Sequence, residues 1–251
     1  MIQAMPLTAI RIVLVEPSHP GNIGAVARAM KNMALAELVL VRPKAFPHPE
    51  ATARASGADD VLGRARVVDR VVDAVADCGF VAATTSRSRD QNFRALDVHE
   101  AAERIFEMSA RGPAAVLFGA ERTGLTNEEL ALAHLLIRIP ANPEYPSLNL
   151  AMAVQLVCYE LFRAAGSPAS DRPLSESPVP LAPGADMERF YAHLQEVMDE
   201  VDFRDRTQGG GHLMTRIRRL FQRCEMDQNE VNILRGLLTS VQSKRRPAGR
   251  S

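Results

Sequence analysis

The chain has 251 residues, of which 46% are hydrophobic and 24% charged, and its formal net charge is zero. This composition predicts a soluble globular protein, and no apolar run reaches the roughly 20 residues of a membrane-spanning helix. Residues 1–6 lack a secretory signal pattern, so we expect a cytoplasmic protein without membrane contact. Cys78, Cys158 and Cys224 are too widely spaced for a zinc site or a disulfide framework. We therefore expect small core cysteines, a reducing compartment and no metal.

Charge is distributed unevenly along the chain. From residue 204 to the end, eleven Lys or Arg stand against four Asp or Glu, which leaves +7 there and −7 on the first 203 residues. This asymmetry predicts that the tail contacts an anionic partner.

Continuous apolar runs alternate with helical patterns through the first 165 residues. The apolar runs lie at 10–15, 38–41, 80–83, 114–118 and 135–139, and the helical patterns lie at 22–33, 68–76, 98–108, 127–133 and 148–163. Continuous runs are typical of parallel strands that are buried on both faces. Their alternation with helices predicts an α/β fold with a parallel sheet.

A change of composition divides the chain. Residues 166–184 contain five prolines, which is typical of a linker. Three helical patterns follow at 186–201, 212–224 and 227–242, and the last carries an apolar face that needs a partner. We predict an α/β domain at 1–165, a linker at 166–185, and a helical RNA-binding extension with a basic tail at 186–251.

The first candidate functional segment, residues 16–24, joins the first strand to the first helix. Ligands of open α/β sheets bind at such carboxyl ends of strands, although an ordinary turn has the same pattern. Gly21 permits an unusual turn, and Asn22 is a candidate cap for the helix. Arg28 faces away from the apolar stripe of that helix and, by itself, resembles a surface arginine. The segment lacks both the dinucleotide fingerprint and the phosphate-binding P-loop.

Two further segments follow buried strands. In residues 117–125, two glycines bracket Glu121 and Arg122, which suggests a tight loop beside a ligand or else a plain loop. Residues 139–155 combine three prolines with Tyr145, Ser147 and Asn149, and Ser147 or Asn149 could cap the following helix. Such a rigid segment could make fixed backbone contacts with a flat adenine. Alternatively, it is only a stiff lead into the following helix.

Taken together, the three segments resemble the SPOUT methyltransferases. The shared patterns are N-I-G-x-x-x-R-A at 22–29, F-G-x-E-x-x-G-L at 118–125 and I-P-x-x-P-x-Y-x-S-L-N-L-A-x-A-V-Q at 139–155. Within that class, residues 86–89, 125–130, 142–145 and 187–191 resemble bacterial tRNA 2'-O-methyltransferases acting on cytidine or uridine 32. The resemblance implies a trefoil knot in the carboxyl-terminal part of the α/β domain. It also implies a homodimer that completes the active site.

The resemblance further implies S-adenosylmethionine as cofactor and tRNA as partner. The implied cofactor-binding residues are Thr84, Thr85, Ser86, Gly119, Ile139, Pro146, Ser147 and Leu148. Arg28 matches the family's catalytic arginine, while Ser147 and Asn149 would orient the ribose 2'-hydroxyl. Because a guanidinium keeps its proton, we expect Arg28 to grip a phosphate and to stabilise alkoxide charge instead of acting as a base.

Substrate contacts are expected in both parts of the chain. The candidate residues are Asn22, Glu121, Arg122, Tyr145, Arg216, Arg218 and Arg219. The last three occur at helical spacing and suit tRNA phosphates, although a solvated helix packing on a dimer has the same pattern. Two alternatives keep the fold: methylation of ribosomal RNA ribose, and a non-catalytic RNA-binding protein. A Rossmann dehydrogenase would require the missing glycine fingerprint.

Overall fold

The computed structural model describes residues 7–85, 95–166, 179–203 and 213–245. Predictions that concern Ser86, and much of the predicted linker, lie outside these residues. One seven-stranded sheet is present, with all described pairings parallel. Its strands are β1 Ile10–Val15, β2 Glu37–Val41, β3 Arg66–Val68, β4 Phe80–Thr84, β5 Ala95–Asp97, β6 Ala114–Phe118 and β7 Leu135–Arg138. The strand order across the sheet is β3-β2-β1-β6-β4-β7-β5.

Helices cover both faces of this sheet and continue beyond it. In the α/β part they are α1 Pro20–Asn32, α2 Pro49–Ala55, α3 Asp59–Arg64, α4 Val71–Ala74, α5 Val98–Ser109, α6 Asn127–Leu130 and α7 Leu150–Gly166. The helical extension contains α8 Gly184–Glu200, α9 Leu213–Gln222 and α10 Gln228–Arg245. The predicted α/β class is therefore confirmed. The trefoil knot and the domain limits stay predictions.

The five strands that were expected from apolar runs are confirmed. Every side chain of β1 and β6 is buried, as a parallel sheet with two covered faces requires. Sequence reasoning missed β3 and β5, because each has three residues and largely exposed or half-buried side chains. The helix predicted at 68–76 is wrong in part, since Val68 ends β3 and only Val71–Ala74 is helical. Helices α2 and α3 were not predicted.

The first helix begins earlier than expected. The predicted cap at Asn22 is wrong: His19 is the N-cap, and its Nδ1 accepts a hydrogen bond from the Gly21 amide at 3.1 Å. Pro20 fits the first helical position because that position needs no N–H donor. Asn22 consequently lies in the first turn, where its side chain is available for contacts outside the helix.

The helical extension has a small core and also contacts the sheet domain. Phe190, Tyr191 and Val231 are buried in this core. The amide of Gly184 donates to the Cys78 carbonyl at 3.0 Å, and the amide of Ala185 donates to the Ala76 carbonyl at 2.8 Å. These bonds join the start of α8 to the segment between α4 and β4.

The structure tests two expectations from composition, which concern the cysteines and membrane-spanning helices. Cys78 and Cys158 are buried as expected, but the core prediction is wrong for Cys224, which is exposed. Cys224 lies two residues beyond the end of α9, where the chain turns at the surface before α10. In the part of the chain that the structure describes, no helix is both long and apolar enough to cross a bilayer.

Candidate active site

A cavity opens at the carboxyl ends of three neighbouring strands, β6, β4 and β7. Its volume is about 330 Å³, which lies in the range of small-molecule sites. The predicted cofactor residues that line it are Thr84, Thr85, Gly119, Ile139, Pro146, Ser147 and Leu148. The structure thus brings together every described member of the predicted cofactor set.

The loop after β6 forms one wall and folds back tightly on itself. The Gly124 amide donates to the Ala120 carbonyl at 2.8 Å, and these residues form an antiparallel bridge. A Cβ added at Gly119 would overlap the backbone of Gly124 and Leu125. Gly124 itself has a φ of 68°, a conformation that side chains disfavour. Both glycines are therefore required by the shape of this wall.

The opposite wall is tied into the sheet. The Thr84 hydroxyl donates to the Leu117 carbonyl at 3.1 Å, and the Thr85 amide donates to the Ile137 carbonyl at 3.1 Å. These bonds hold the ends of β4, β6 and β7 in fixed relative positions. A ligand in the cavity would therefore meet backbone that is already ordered.

Glu121 joins this loop to the segment before α1. Its carboxylate accepts hydrogen bonds from the Ser18 amide at 3.0 Å, the Ser18 hydroxyl at 3.0 Å and Asn22 Nδ2 at 3.1 Å. Partial burial alone would raise the pKa of Glu121, but the bonds from Asn22 and Ser18 outweigh it, and the pKa is lowered. Glu121 is thus held as a carboxylate.

Asn22 extends the connection to the third segment. Its Oδ1 accepts a hydrogen bond from Asn149 Nδ2 at 3.1 Å. Asn149 Oδ1 in turn accepts from the Ala151 amide at 2.9 Å, which confirms Asn149 as a cap of α7. The order Asn149, Asn22, Glu121 is a continuous hydrogen-bonded chain that joins all three motifs. We refer to it as the Asn–Asn–Glu chain.

A second depression, with a volume of about 710 Å³, lies between α1, α2 and α7. Leu148 lines both this groove and the cavity, so the two are neighbours. Asn22 and Asn149 lie at the groove, together with the exposed apolar side chains of Met152 and Leu156. We call this depression the α1–α7 groove.

The remaining predicted site residues in the α/β domain lie at the rim or outside the cavity. Arg122 lines the cavity and is exposed, and Tyr145 is 78% exposed. Arg28 is exposed on α1 and does not line the cavity of its own subunit. A catalytic role for Arg28 stays a prediction.

The predicted RNA-binding arginines of α9 are not equivalent. Arg218 Nη2 donates to Glu188 Oε2 at 2.9 Å, and its Cζ lies 4.3 Å from the centroid of the Tyr191 ring. Both partners belong to α8, so Arg218 fastens α9 to α8. Arg216 and Arg219 also make contacts within the chain. RNA contact by these three residues stays a prediction.

Sequence reasoning missed Ser18. Its amide and hydroxyl supply two of the bonds to Glu121, yet nothing in the first segment distinguishes it from an ordinary turn residue. Its partner lies 103 residues away, so only the strand order reveals the contact. Among the described residues, no three His, Cys, Asp or Glu side chains are grouped so that they could hold a metal ion.

Comparison with known proteins agrees with this geometry. The model of the SpoU rRNA methylase family matches residues 9–159, and that of the tRNA methyltransferase TrmJ C-terminal domain matches residues 185–250. The chain is 47% identical to the tRNA (cytidine/uridine-2'-O-)-methyltransferase TrmJ of Photorhabdus laumondii, over 94% of this chain and 98% of that protein.

Solved structures give the same result. The crystal structure of TrmJ from Zymomonas mobilis ZM4 has a TM-score of 0.80 and 37% identity, covering 92% of this chain and 98% of that one. A structure described as concerning 2'-OH methylation of C/U34 on tRNA has a TM-score of 0.50 and 29% identity, covering 62% of this chain and 95% of that one. With two family models and near full-length relatives in agreement, the chain belongs to the SpoU methylase family and, within it, to the TrmJ group.

Proposed function

We propose that this protein is an S-adenosylmethionine-dependent tRNA methyltransferase that modifies the ribose 2'-oxygen of cytidine or uridine 32 in the anticodon loop. The observation that carries this proposal is that the second and third motif segments line one cavity, to which the Asn–Asn–Glu chain joins the first segment. The TrmJ relatives, which are named as tRNA methyltransferases, support the activity and the substrate class. The cytoplasmic location expected from the sequence stays a prediction.

The cavity residues fit the cofactor. Gly119 puts no side chain into the cavity, and the ordered ends of β4 and β7 leave backbone groups beside the space. Ile139, Leu148 and Leu150 add apolar surface for a flat base. When it is bound, the cofactor supplies an electrophilic methyl group on a sulfonium.

The chain's own residues then position the nucleophile. Ser147 lines the cavity and Asn149 lies on the neighbouring groove, so both are placed to orient a 2'-hydroxyl between the two depressions. Correct alignment of reactants can lower a barrier by roughly 7–11 kcal/mol. The guanidinium of Arg28 would hold an adjacent phosphate and stabilise charge that develops on the oxygen.

A homodimer is part of the proposal. Met152, Leu156 and Tyr159 occur on successive turns of α7, and all three are exposed. Such a contiguous apolar strip is typical of an interaction surface. A second subunit packed on α7 would cover the strip. It would also give Arg28 of one subunit a route to the cavity of the other.

Position 32 is favoured over position 34 by the helical extension. The TrmJ C-terminal model covers residues 185–250, whereas the structure concerned with C/U34 covers 62% of this chain and 95% of its own. The same extension favours tRNA over ribosomal RNA, because the matching model is that of a tRNA methyltransferase. The intact motif residues argue against a non-catalytic RNA-binding protein.

The test is mass spectrometry of tRNA fragments after incubation with the protein and labelled S-adenosylmethionine. We expect one 2'-O-methyl group at position 32. Arg28→Ala should abolish transfer with little effect on cofactor affinity. Lys31→Ala should retain it, since Lys31 lies on the same helix but pairs with Asp60 at 2.7 Å. Methylation at 34 or of ribosomal RNA alone, or normal turnover by Arg28→Ala, would contradict the proposal.

A further inference from the structure

Cations of the α/β domain fall into two sets. Members of the first set pair with a carboxylate, as Lys31 does with Asp60, Arg42 with Glu16 and Arg70 with Asp73, each at 2.7 Å. Members of the second set have no ion-pair partner in the described part of the chain, and they are Arg28, Lys44, Arg54, Arg64, Arg66, Arg111, Arg122 and Arg138. The position of each cation in the second set matters, because an unpaired exposed cation is available to bind an external anion.

Lys44 lies close to the candidate active site. It is exposed in the loop that follows β2, and its amide donates to the Pro17 carbonyl at 3.1 Å. The next residue, Ser18, binds Glu121, which lines the cavity. Two hydrogen-bonded contacts therefore connect the Lys44 backbone to the cavity wall. In the same loop, Arg42 is occupied by Glu16, so Lys44 is the cation left available there.

Arg54 lies at the groove. It belongs to the last turn of α2 and lines the α1–α7 groove together with Asn22 and Asn149. A Cβ built on Gly24 of α1 would be 2.9 Å from the Arg54 Cβ, so the two helices touch at this point. Arg28 is one helical turn beyond Gly24 on α1. Arg54 and Arg28 therefore come from adjacent turns of two contacting helices.

Two of the acidic groups near these cations are engaged, whereas Glu50 lines the α1–α7 groove with Arg54 and lies 3.7 Å from His19 Nδ1. Glu16 accepts both bonds from Arg42, and Glu121 accepts the bonds from Ser18 and Asn22. With Arg42 paired to Glu16, Lys44 and Arg54 outnumber Glu50, so the loop after β2 and α2 together keep a net positive charge. Such a strip favours a polyanion that lies along it.

We infer that the tRNA strand carrying the target ribose runs along the loop at residues 42–48 and the end of α2, with Lys44 and Arg54 contacting its phosphates. This inference rests on the proposed function and adds two positioning residues to it. Neither residue reads a base, so both should act on all tRNA substrates alike. Each phosphate contact releases counterions, which makes its loss visible in the salt dependence of binding.

The experiment measures tRNA binding by fluorescence anisotropy over a series of KCl concentrations for Lys44→Ala, Arg54→Ala and the double variant. We expect each single variant to weaken binding about 3- to 10-fold and to reduce the slope of log K against log salt by about 0.7–0.9. The KM for tRNA should rise with kcat nearly unchanged, and cofactor affinity should stay constant. Lys44→Arg and Arg54→Lys should retain most of the binding, which separates charge from folding.

Arg64→Ala is the matched control. Arg64 is exposed and ends α3, just before β3 begins, so it lies at the amino edge of the parallel sheet, away from the cavity. We expect wild-type binding and slope for this variant. Wild-type binding by the double variant, or an equal loss in Arg64→Ala, would overturn the assignment of Lys44 and Arg54 as phosphate contacts. Dissociation of the dimer in Arg54→Ala would overturn the assignment of Arg54. Failure of wild-type protein to methylate tRNA would instead refute the proposed function, because binding is measured without turnover.

Discussion

Asn149 Nδ2 donates a hydrogen bond to Asn22 Oδ1 at 3.1 Å across a sequence separation of 127 residues. Asn22 uses its other polar atom, Nδ2, to donate to Glu121 at 3.1 Å. The amide of Asn22 is therefore used in both directions, as an acceptor on one side and a donor on the other. A side-chain amide carries a donor and an acceptor on separate atoms, which a carboxylate does not.

Asn22→Asp tests this directionality. The substitution keeps the shape but places a second carboxylate against Glu121, so the donor is lost and like charges meet. We expect kcat to fall by about 10- to 100-fold, which corresponds to roughly 1–3 kcal/mol for a broken bond to a charged group. Cofactor affinity should change less, because Asn22 does not line the cavity. Steady-state methylation assays and calorimetric titration of the cofactor measure the two effects.

Asn127→Asp is the control for added negative charge. Asn127 is exposed at the start of α6, where a carboxylate is favourable to the helix dipole. We expect wild-type kinetics from this variant. If Asn22→Asp also turned over at the wild-type rate, the Asn–Asn–Glu chain would have no role in catalysis.

Gly119→Ala tests the shape of the cavity wall. The new methyl group would overlap the backbone of Gly124 and Leu125, so the loop after β6 would have to move away. We expect cofactor affinity to fall at least about 10-fold, and stability to fall by about 1–3 kcal/mol, as for overpacking. Isothermal titration and chemical denaturation measure these quantities.

Gly63→Ala provides the matched comparison. Gly63 lies within α3, and a Cβ there would have no neighbour within 4 Å. Alanine in a helix interior is favoured over glycine by about 0.5–1 kcal/mol, so this variant should be slightly more stable and bind the cofactor normally. Equal cofactor affinity in both variants would contradict the requirement for glycine at 119.

How much of this site the sequence predicted depends on how far apart in the sequence the contacting residues lie. The loop glycines, Ser147 and Asn149 were predictable because their motif surrounds them in the chain. Ser18 was not, since its partner becomes a neighbour only through the pairing of β1 with β6. The strands β3 and β5 were missed for a related reason: their register is set by β2 and β7, not by their own apolar content. The role of Arg218 also depends on how two helices pack.

His134 predicts a pH dependence of stability. Its Nδ1 accepts a hydrogen bond from the Val81 amide at 3.1 Å, and its ring stacks on Phe80. Burial lowers the pKa of His134 from 6.5 to about 4. Between these values the unfolded chain binds the proton and the folded protein does not, so stability should fall as the pH decreases from 6.5 towards 4.

The measurement is urea denaturation at several pH values for the wild type and for His134→Asn. The Asn amide oxygen can accept the Val81 bond but does not titrate in this range. The variant should therefore lose less stability than the wild type when the pH is lowered from 7 to 5. Identical pH profiles for the two proteins would show that His134 is not the responsible group.

Arg218→Ala distinguishes a structural arginine from an RNA contact. The guanidinium pairs with Glu188 and lies over the Tyr191 ring, so its removal should loosen α9 from α8. We expect a loss of about 1–3 kcal/mol in unfolding free energy, from the bonds to a charged group together with the cation–π contact. Arg223→Ala, which removes an exposed arginine just after α9, should change stability by less than about 0.5 kcal/mol.

Tyr191→Phe separates the ring from its hydroxyl. The Tyr191 ring is 2% exposed, and its hydroxyl has no hydrogen-bond partner in the described part of the chain. Phenylalanine keeps the face beneath Arg218 while it removes an unsatisfied polar atom, so stability should be unchanged or increased. If Arg218→Ala instead left stability intact and weakened tRNA binding with a reduced salt slope, Arg218 would act on RNA and its contacts with α8 would be incidental.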